Sequence, residues 1–185
     1  MPGSAGGFAL PEMKIGRADL FLATGRGCDN RTFMELPQRE RLAHFIPYWI
    51  EGRAFFFITI NCLPRGRNQL CHPDVGGKIL DSVQFYHERF TWQAVLFLLM
   101  PDHLHGIVSF PPEPGMKAVI KAWKGYQKRF RGIEWQDDFF DRRLRDRFQF
   151  EEKASYILNS PVRRGLCAKP EDWPYVFWPQ DRPVF

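Results

Sequence analysis

The segment from Leu98 to Phe110, LLMPDHLHGIVSF, contains two histidines separated by one leucine inside an otherwise apolar stretch. Alternate side chains of a β-strand point to the same face of a sheet. A strand here would therefore direct His103 and His105 to one spot and turn Leu104 into a core. Two converging neutral imidazoles supply two ligands of a small metal site. The alternative is a pair of partly buried histidines that are satisfied by hydrogen bonds.

The segments around the histidines predict an α+β chain. Pro101-Asp102 is typical of a tight turn, which makes 92–100 and 104–110 the arms of a hairpin. The remaining predicted elements are a strand at 54–61, a loop at 63–74, helices at 76–90, 116–131, 148–159 and 162–166, an ambiguous stretch at 135–145 and an irregular tail from 170. This order predicts an antiparallel sheet, closed by a last short strand, with the histidine strand central and the helices on one side.

Composition excludes several classes of protein. The chain of 185 residues is 44% hydrophobic and 16% aromatic, which excludes disorder of the whole chain. Its four cysteines, Cys28, Cys62, Cys71 and Cys167, form no C-x-x-C pair, which argues against a zinc knuckle or a disulfide framework. The sequence predicts neither a membrane helix nor a signal peptide. We therefore expect a protein of the reducing cytoplasm.

Composition and charge also suggest that the chain consists of two regions. We expect residues 1–50 to be an N-terminal extension, which is either a loose solvated segment or a basic arm on a nucleic-acid backbone. Residues 51–185 are predicted to form the catalytic domain with a C-terminal tail. The formal net charge of +5 is compatible with a polyanionic partner.

The predicted helix at 116–131 carries a row of cations without an acidic partner. Its members are Lys117, Lys121, Lys124, Lys128 and Arg131. The usual explanation for such a row is a solvated helix face. Because like charges three and four residues apart repel each other, a phosphate backbone beside the helix is the functional alternative.

Tyr126 lies on the same predicted helix, after the histidine strand. A tyrosine hydroxyl can attack a phosphodiester and remain attached as a phosphotyrosine, and a cation held by His103 and His105 would polarise that phosphate. Alternatively, Tyr126 is a residue at the edge of the core. At 100° per residue it projects roughly opposite the centre of the lysine row, so the two cannot face one small patch.

Several segments together resemble a known family. They are AFFFITIN, LMPDHLHGIVSFP, KAWKGYQKRF, WQDDFFDRRLR and YILNSPVRRGLCAKPEDWPY, which span about residues 52–175. Over this region the chain resembles the REP-associated tyrosine transposases, which are relatives of the IS200/IS605 transposases within the HUH endonucleases.

The resemblance implies a ferredoxin-like antiparallel sheet with helices packed on it. It also implies a Mg²⁺- or Mn²⁺-dependent endonuclease and strand transferase that acts on single-stranded hairpin DNA, such as REP elements, through a 5′-phosphotyrosine. His103 and His105 would be the metal ligands and Tyr126 the nucleophile. The protein would act at the nucleoid, either as a monomer or as a homodimer.

One position departs from the family pattern. Related enzymes place a third, amide ligand one helical turn beyond the tyrosine, where this chain has Phe130. Gln127 is the nearest amide and is the candidate third ligand. This departure motivates a second possible function, a DNA-hairpin-binding protein that no longer cleaves. A third possibility, an unrelated metal-dependent hydrolase that acts on a small molecule, fits the His-x-His pair but not the lysine row or the downstream motifs.

Overall fold

The structure, a computed structural model, describes residues 54–179. It contains one antiparallel sheet of five strands in the order β4-β1-β3-β2-β5. The strands are β1 (Phe55–Asn61), β2 (Gln93–Met100), β3 (His103–Ser109), β4 (Phe140–Leu144) and β5 (Val176–Phe177). The histidine strand β3 is therefore central, as predicted, and the predicted α+β class is confirmed.

Within residues 54–179, four α-helices accompany the sheet. They are α1 (Pro73–Glu88), α2 (Gly115–Arg131), α3 (Arg147–Leu158) and α4 (Ser160–Arg163). The residue types at the helix ends explain where several of the helices begin or end. Pro73 occupies the first turn of α1, where its missing N–H costs nothing. Gly132 ends α2 in the left-handed conformation, at a φ of 66°, and Asp146 caps α3 by accepting the backbone N–H of Gln149 at 2.8 Å.

Helices α1 and α2 pack on one face of the sheet. The core on this face is formed by alternate strand residues that meet buried residues of both helices: Phe56, Ile58, Ile60, Leu104, Val108, Ile79, Val83, Val119, Ile120 and Trp123. The predicted apolar side of α2 is therefore buried, except for Phe130, which is 63% exposed.

Helix α3 packs on the opposite face. A second core joins Ile157 of α3 to the strand residues whose side chains point to this face, including Phe57, Leu98 and Ile107. The prediction that the helices lie on one side is therefore wrong. All seven residues of β3 are buried, and a strand buried on both faces needs a layer on each side of the sheet.

The stretches that the sequence left open also have definite positions. Part of the ambiguous segment 135–145 forms the edge strand β4. The tail is not wholly irregular, because β5 pairs with β2 and the indole Nε1 of Trp173 donates to the carbonyl of Leu99 at 2.8 Å. The predicted extension at 1–50 lies outside the described residues. Within residues 54–179, no helix is long and apolar enough to cross a membrane.

Candidate functional site

His103 and His105 lie together on one face of the sheet. They occupy alternate positions of β3, opposite Asn61 and Thr59 of β1. Their ring centroids are 4.8 Å apart and the rings are inclined by 78°. Both histidines line an open cavity of about 340 Å³, while Leu104 packs in the core on the other face. The predicted convergence of the two imidazoles is therefore present in the structure.

Each imidazole is held through its Nδ1 atom. Nδ1 of His103 lies 2.7 Å from Oδ1 of Asp102, and Nδ1 of His105 lies 2.9 Å from Oγ1 of Thr59. In the tautomers in which Nδ1–H donates these bonds, Nε2 keeps its lone pair. An oriented imidazole with a free Nε2 is the form that binds a metal ion.

Burial keeps both rings neutral. Burial, together with the smaller effects of the neighbouring His103 and Arg163, lowers the pKa of His105 to about 3. Burial also lowers the pKa of His103, although its contact with Asp102 opposes the shift. Since an imidazole must be unprotonated to bind a metal ion, this environment favours ligation.

Asp102 links the histidine strand to the loop that precedes α1. Its carboxylate accepts the backbone N–H of Gly66 at 2.8 Å and pairs with the guanidinium of Arg65 at 3.3 Å. Partial burial would raise its pKa, but the hydrogen bonds from His103 and Gly66 and the charge of Arg65 outweigh that effect and lower it. Asp102 is therefore an ionised acceptor that orients His103.

The tyrosine beside the histidines is Tyr156, on α3. Its ring meets the ring of His105 edge-on, with centroids 5.6 Å apart, and also contacts Phe57. It lines the same cavity as both histidines and is 41% exposed. Sequence reasoning missed Tyr156, although the motif YILNSPVRRG, which supported the family resemblance, begins with it.

Two arginines and a serine follow Tyr156 and complete the cavity lining. Arg163 lies 4.0 Å above the ring of Tyr156 and donates to Oγ of Ser160 at 2.9 Å. Ser160 and Arg164 also line the cavity. The positive charge of these two arginines suits an anionic ligand that lies against the histidines.

Tyr126 is not part of this arrangement. It lies on α2, whose helix packs on the opposite face of the sheet, and it lines a separate cavity with Phe130 and Arg131. The expectation that Tyr126 shares a site with His103 and His105 is therefore corrected, because the sheet separates them. Tyr126 and the centre of the lysine row do line different cavities, as the helical spacing predicts.

Gln127 is also far from the histidines in the fold. It is fully buried between α1 and α2, where its Nε2 donates to Oγ of Ser82 at 2.7 Å. The structure therefore does not bring this candidate third ligand to the histidine pair. Among residues 54–179, no group of three or more His, Cys, Asp or Glu side chains could hold a metal ion.

The cations of α2 divide into two groups. Lys117, Lys121, Lys124 and Lys128 line a cavity of about 390 Å³ with residues that follow the helix. Lys124 is buried there and donates to the carbonyls of Gln136 and Asp137 at 2.6 and 2.9 Å, so it has a structural role. Arg131 lies on the Tyr126 side instead. The other three lysines of the row, Lys117, Lys121 and Lys128, are exposed.

A family model described as "Transposase IS200 like" matches residues 58–159. This segment runs from β1 through α3 and includes His103, His105 and Tyr156. It covers more than half of the chain.

Individual proteins are also similar to this chain. The REP-associated tyrosine transposase of Escherichia coli K12 is 24% identical over 145 residues, which are 76% of this chain and 85% of that protein. A relative from Haemophilus influenzae is 24% identical over 145 residues, covering 69% of this chain and 81% of its own length. A solved REP-associated tyrosine transposase bound to a REP hairpin has the same fold, with a TM-score of 0.56 and 20% identity, over 78% of this chain and 95% of that one.

Proposed function

The chain belongs to the IS200-like transposase family, and from that premise we propose that it cleaves and rejoins single-stranded DNA through a covalent bond to Tyr156. The observation that carries the proposal is the cavity shared by Tyr156 and the two histidines. A nucleophile, a pair of metal ligands and two arginines converge there. The proposed nucleophile is thus Tyr156 instead of Tyr126.

The proposed reaction is a transesterification. Oη of Tyr156 attacks the phosphorus of a phosphodiester, and the bond from phosphorus to the 3′-oxygen breaks. The products are a 5′-phosphotyrosine and a free 3′-hydroxyl, which carries the proton that the tyrosine has lost. Since one ester replaces another, the 3′-hydroxyl of a second strand can reverse the step and join the DNA without another energy source.

His103 and His105 would hold Mg²⁺ or Mn²⁺ through Nε2. The donor set fits such an ion in part, because imidazole nitrogens are better suited to Zn²⁺, Cu²⁺, Fe²⁺ or Ni²⁺, and Mg²⁺ or Mn²⁺ would need oxygen ligands at its other positions. The bound ion would supply Lewis-acid polarisation and positioning of the scissile phosphate. Asp102 and Thr59 would keep the two rings in the ligating orientation.

Arg163 and Arg164 would bind the phosphate beside Tyr156. Arg163 covers one side of the tyrosine ring at 4.0 Å, so its charge lies next to the group that must react. Guanidinium groups form charge-assisted, bidentate hydrogen bonds with phosphate. Arg65, held by Asp102 at 3.3 Å, adds positive charge on the far side of His103.

We propose hairpin DNA of the REP type as the substrate. The solved protein of the same fold was determined with a REP hairpin, and the E. coli relative is a REP-associated tyrosine transposase. The exposed Lys117, Lys121 and Lys128 would contact flanking DNA through its phosphates.

A denaturing gel of the protein with a labelled hairpin oligonucleotide and Mn²⁺ tests the proposal. The hairpin is taken from DNA that flanks the gene. If the label is 3′ of the cleavage site, a slowly migrating covalent band is expected, whereas a 5′ label yields only a shortened oligonucleotide. The reverse labelling result would contradict a 5′-phosphotyrosine.

A second candidate function is binding of the hairpin without cleavage. One helical turn beyond Tyr156 the chain has Ser160, whereas the family resemblance leads to an amide there. A neutral hydroxyl is a weaker metal ligand than an amide carbonyl. Hairpin binding on a native gel, with no covalent band in Mg²⁺, Mn²⁺ or Co²⁺, would favour this candidate.

A further inference from the structure

A second cavity lies between the start of α1 and the end of α2. It has a volume of about 350 Å³ and is lined by Asp74, Val75, Lys78, Tyr126, Phe130 and Arg131. Tyr126 and Phe130 are 43% and 63% exposed, and their ring centroids are only 4.7 Å apart. Two exposed aromatic rings and two cations, Lys78 and Arg131, thus line the same cavity.

Arg131 has unused hydrogen-bonding capacity in this cavity. Its guanidinium lies 5.2 Å from the centre of the Tyr126 ring, and Nη2 donates to the carbonyl of Lys78 at 2.8 Å. Nε and Nη1 are buried and have no partner among the described residues. Buried donors without acceptors cost free energy, so an anionic oxygen bound here would compensate for a deficit that the protein leaves open.

The second cavity lies at the same end of the sheet as the histidines. His103 faces Asn61, the last residue of β1. The chain that leaves α2 returns to this end, where the N–H of Gln136 donates to the carbonyl of Asn61 at 2.9 Å. The loop before α1 is attached there as well, through the N–H of Gln69 and the carbonyl of Pro101 at 2.8 Å. The two cavities therefore lie toward the same end of the sheet, on opposite faces.

Exposed cations lie on the loop that joins β1 to α1, at this end of the sheet. The loop before α1 carries Arg65 and Arg67, which are both exposed, and Arg65 is already tied to the Asp102 that holds His103. Lys78 continues the positive charge into the second cavity. Among the described residues Asp74 is the one carboxylate that lines it, so cations outnumber anions in this part of the chain.

We propose that the second cavity binds the single-stranded DNA that continues from the site at Tyr156. The strand passes around the end of the sheet over Arg65 and Arg67. One base stacks on Tyr126 and Phe130, and a phosphate accepts hydrogen bonds from Arg131 and Lys78. Stacking on aromatic rings beside a basic path is the usual way in which proteins hold single strands. The inference rests on the proposed function, since it concerns the same DNA strand.

The test uses two oligonucleotides with the same hairpin, one of which carries a longer single-stranded extension. Iododeoxyuridine is placed at successive positions of the extension. On irradiation, we expect one position to cross-link to Tyr126 or Phe130, as identified by mass spectrometry. Binding of the longer oligonucleotide to the variant Tyr126→Ala/Phe130→Ala should weaken about tenfold, while binding of the shorter one stays unchanged.

Phe90→Ala is the matched control, because Phe90 is 74% exposed and follows the other end of α1. It should bind both oligonucleotides as the wild type does. Equal loss of binding to both oligonucleotides in the double variant, or cross-links that avoid the second cavity, would overturn the inference.

Self-association abolished by the double variant would also overturn it, since the rings would then contact a second copy. The covalent band at Tyr156 is measured on the same wild-type samples. Its absence refutes the proposed function, whereas the cross-links report on the second cavity alone.

Discussion

The ring of Tyr156 meets the imidazole of His105 edge-on, with centroids 5.6 Å apart, although one residue lies on α3 and the other on the central strand. Helix α3 therefore completes a site that β3 begins. The packing of α3 on the histidine face of the sheet decides which tyrosine lies beside the histidines.

We expect Tyr156→Phe to abolish the covalent DNA band, because the variant removes only the attacking oxygen. Hairpin binding on a native gel should persist. Tyr126→Phe is the matched control and should retain the band. The measurement is a denaturing gel with Mn²⁺ and 3′-labelled hairpin DNA. A band that survives in Tyr156→Phe and disappears in Tyr126→Phe would restore the sequence-based assignment.

Chelation of metal ions should stop formation of the band but leave the protein folded. His103 and His105 are held by Asp102 and Thr59 at 2.7 and 2.9 Å, so their positions do not depend on a metal ion. Circular dichroism with and without EDTA measures the fold. Loss of the near-ultraviolet signal in EDTA would instead indicate a structural metal ion, as in zinc fingers.

Asp102→Asn should weaken Mn²⁺ binding by about tenfold to a hundredfold, the usual effect of removing a carboxylate that orients a histidine ligand. The amide keeps an acceptor for the N–H of Gly66 but loses the negative charge. Electron paramagnetic resonance of free Mn²⁺ gives the affinity without any dependence on catalysis. Asp81→Asn, at an exposed position of α1, is the control, and an equal effect in both variants would contradict the role of Asp102.

Gln127→Met should leave Mn²⁺ affinity and the covalent band unchanged. The side chain of Gln127 is buried beside Ser82, and its Oε1 has no hydrogen-bond partner among the described residues. The free energy of unfolding should change by less than about 1.5 kcal/mol, because the substitution nearly conserves volume and removes an unsatisfied carbonyl. A clear loss of Mn²⁺ affinity would show that Gln127 reaches the metal ion after all.

Gly76→Ala should destabilise the protein by about 1–3 kcal/mol, since an added methyl group would lie 2.4 Å from the ring of Tyr175 and 3.1 Å from the carbonyl of Leu70. Gly77→Ala, where nothing lies within 4 Å, should stabilise α1 by up to about 1 kcal/mol. Urea denaturation of both variants measures the difference. Similar values for the two would show that Tyr175 does not pack against α1 in solution.

The parts of this fold that depend on short-range pattern could be predicted from the sequence. The alternation of His103, Leu104 and His105 gives the correct strand faces, and the spacing of Met116, Val119, Ile120 and Trp123 gives the buried side of α2. The family resemblance also follows from the residues, because its motifs are local.

The choice between the two tyrosines depends on long-range packing. Each lies on a helix, and spacing along a helix does not say which face of a sheet that helix will cover. Ile157 is the one buried residue of α3, so the apolar pattern along this helix is weak. Strand β4 is an edge strand with charged Asp141, Arg142 and Arg143, and such a segment has no distinctive alternation.

The placement of Leu104 between the histidines also protects the site against errors of folding. If β3 paired one residue out of register, Leu104 would enter the cavity and both imidazoles would enter the apolar core under α1 and α2. Burying two polar rings there without hydrogen-bond partners would cost several kcal/mol. Molecules in which this strand is misaligned should therefore fail to fold, and they would not accumulate as stable but inactive protein.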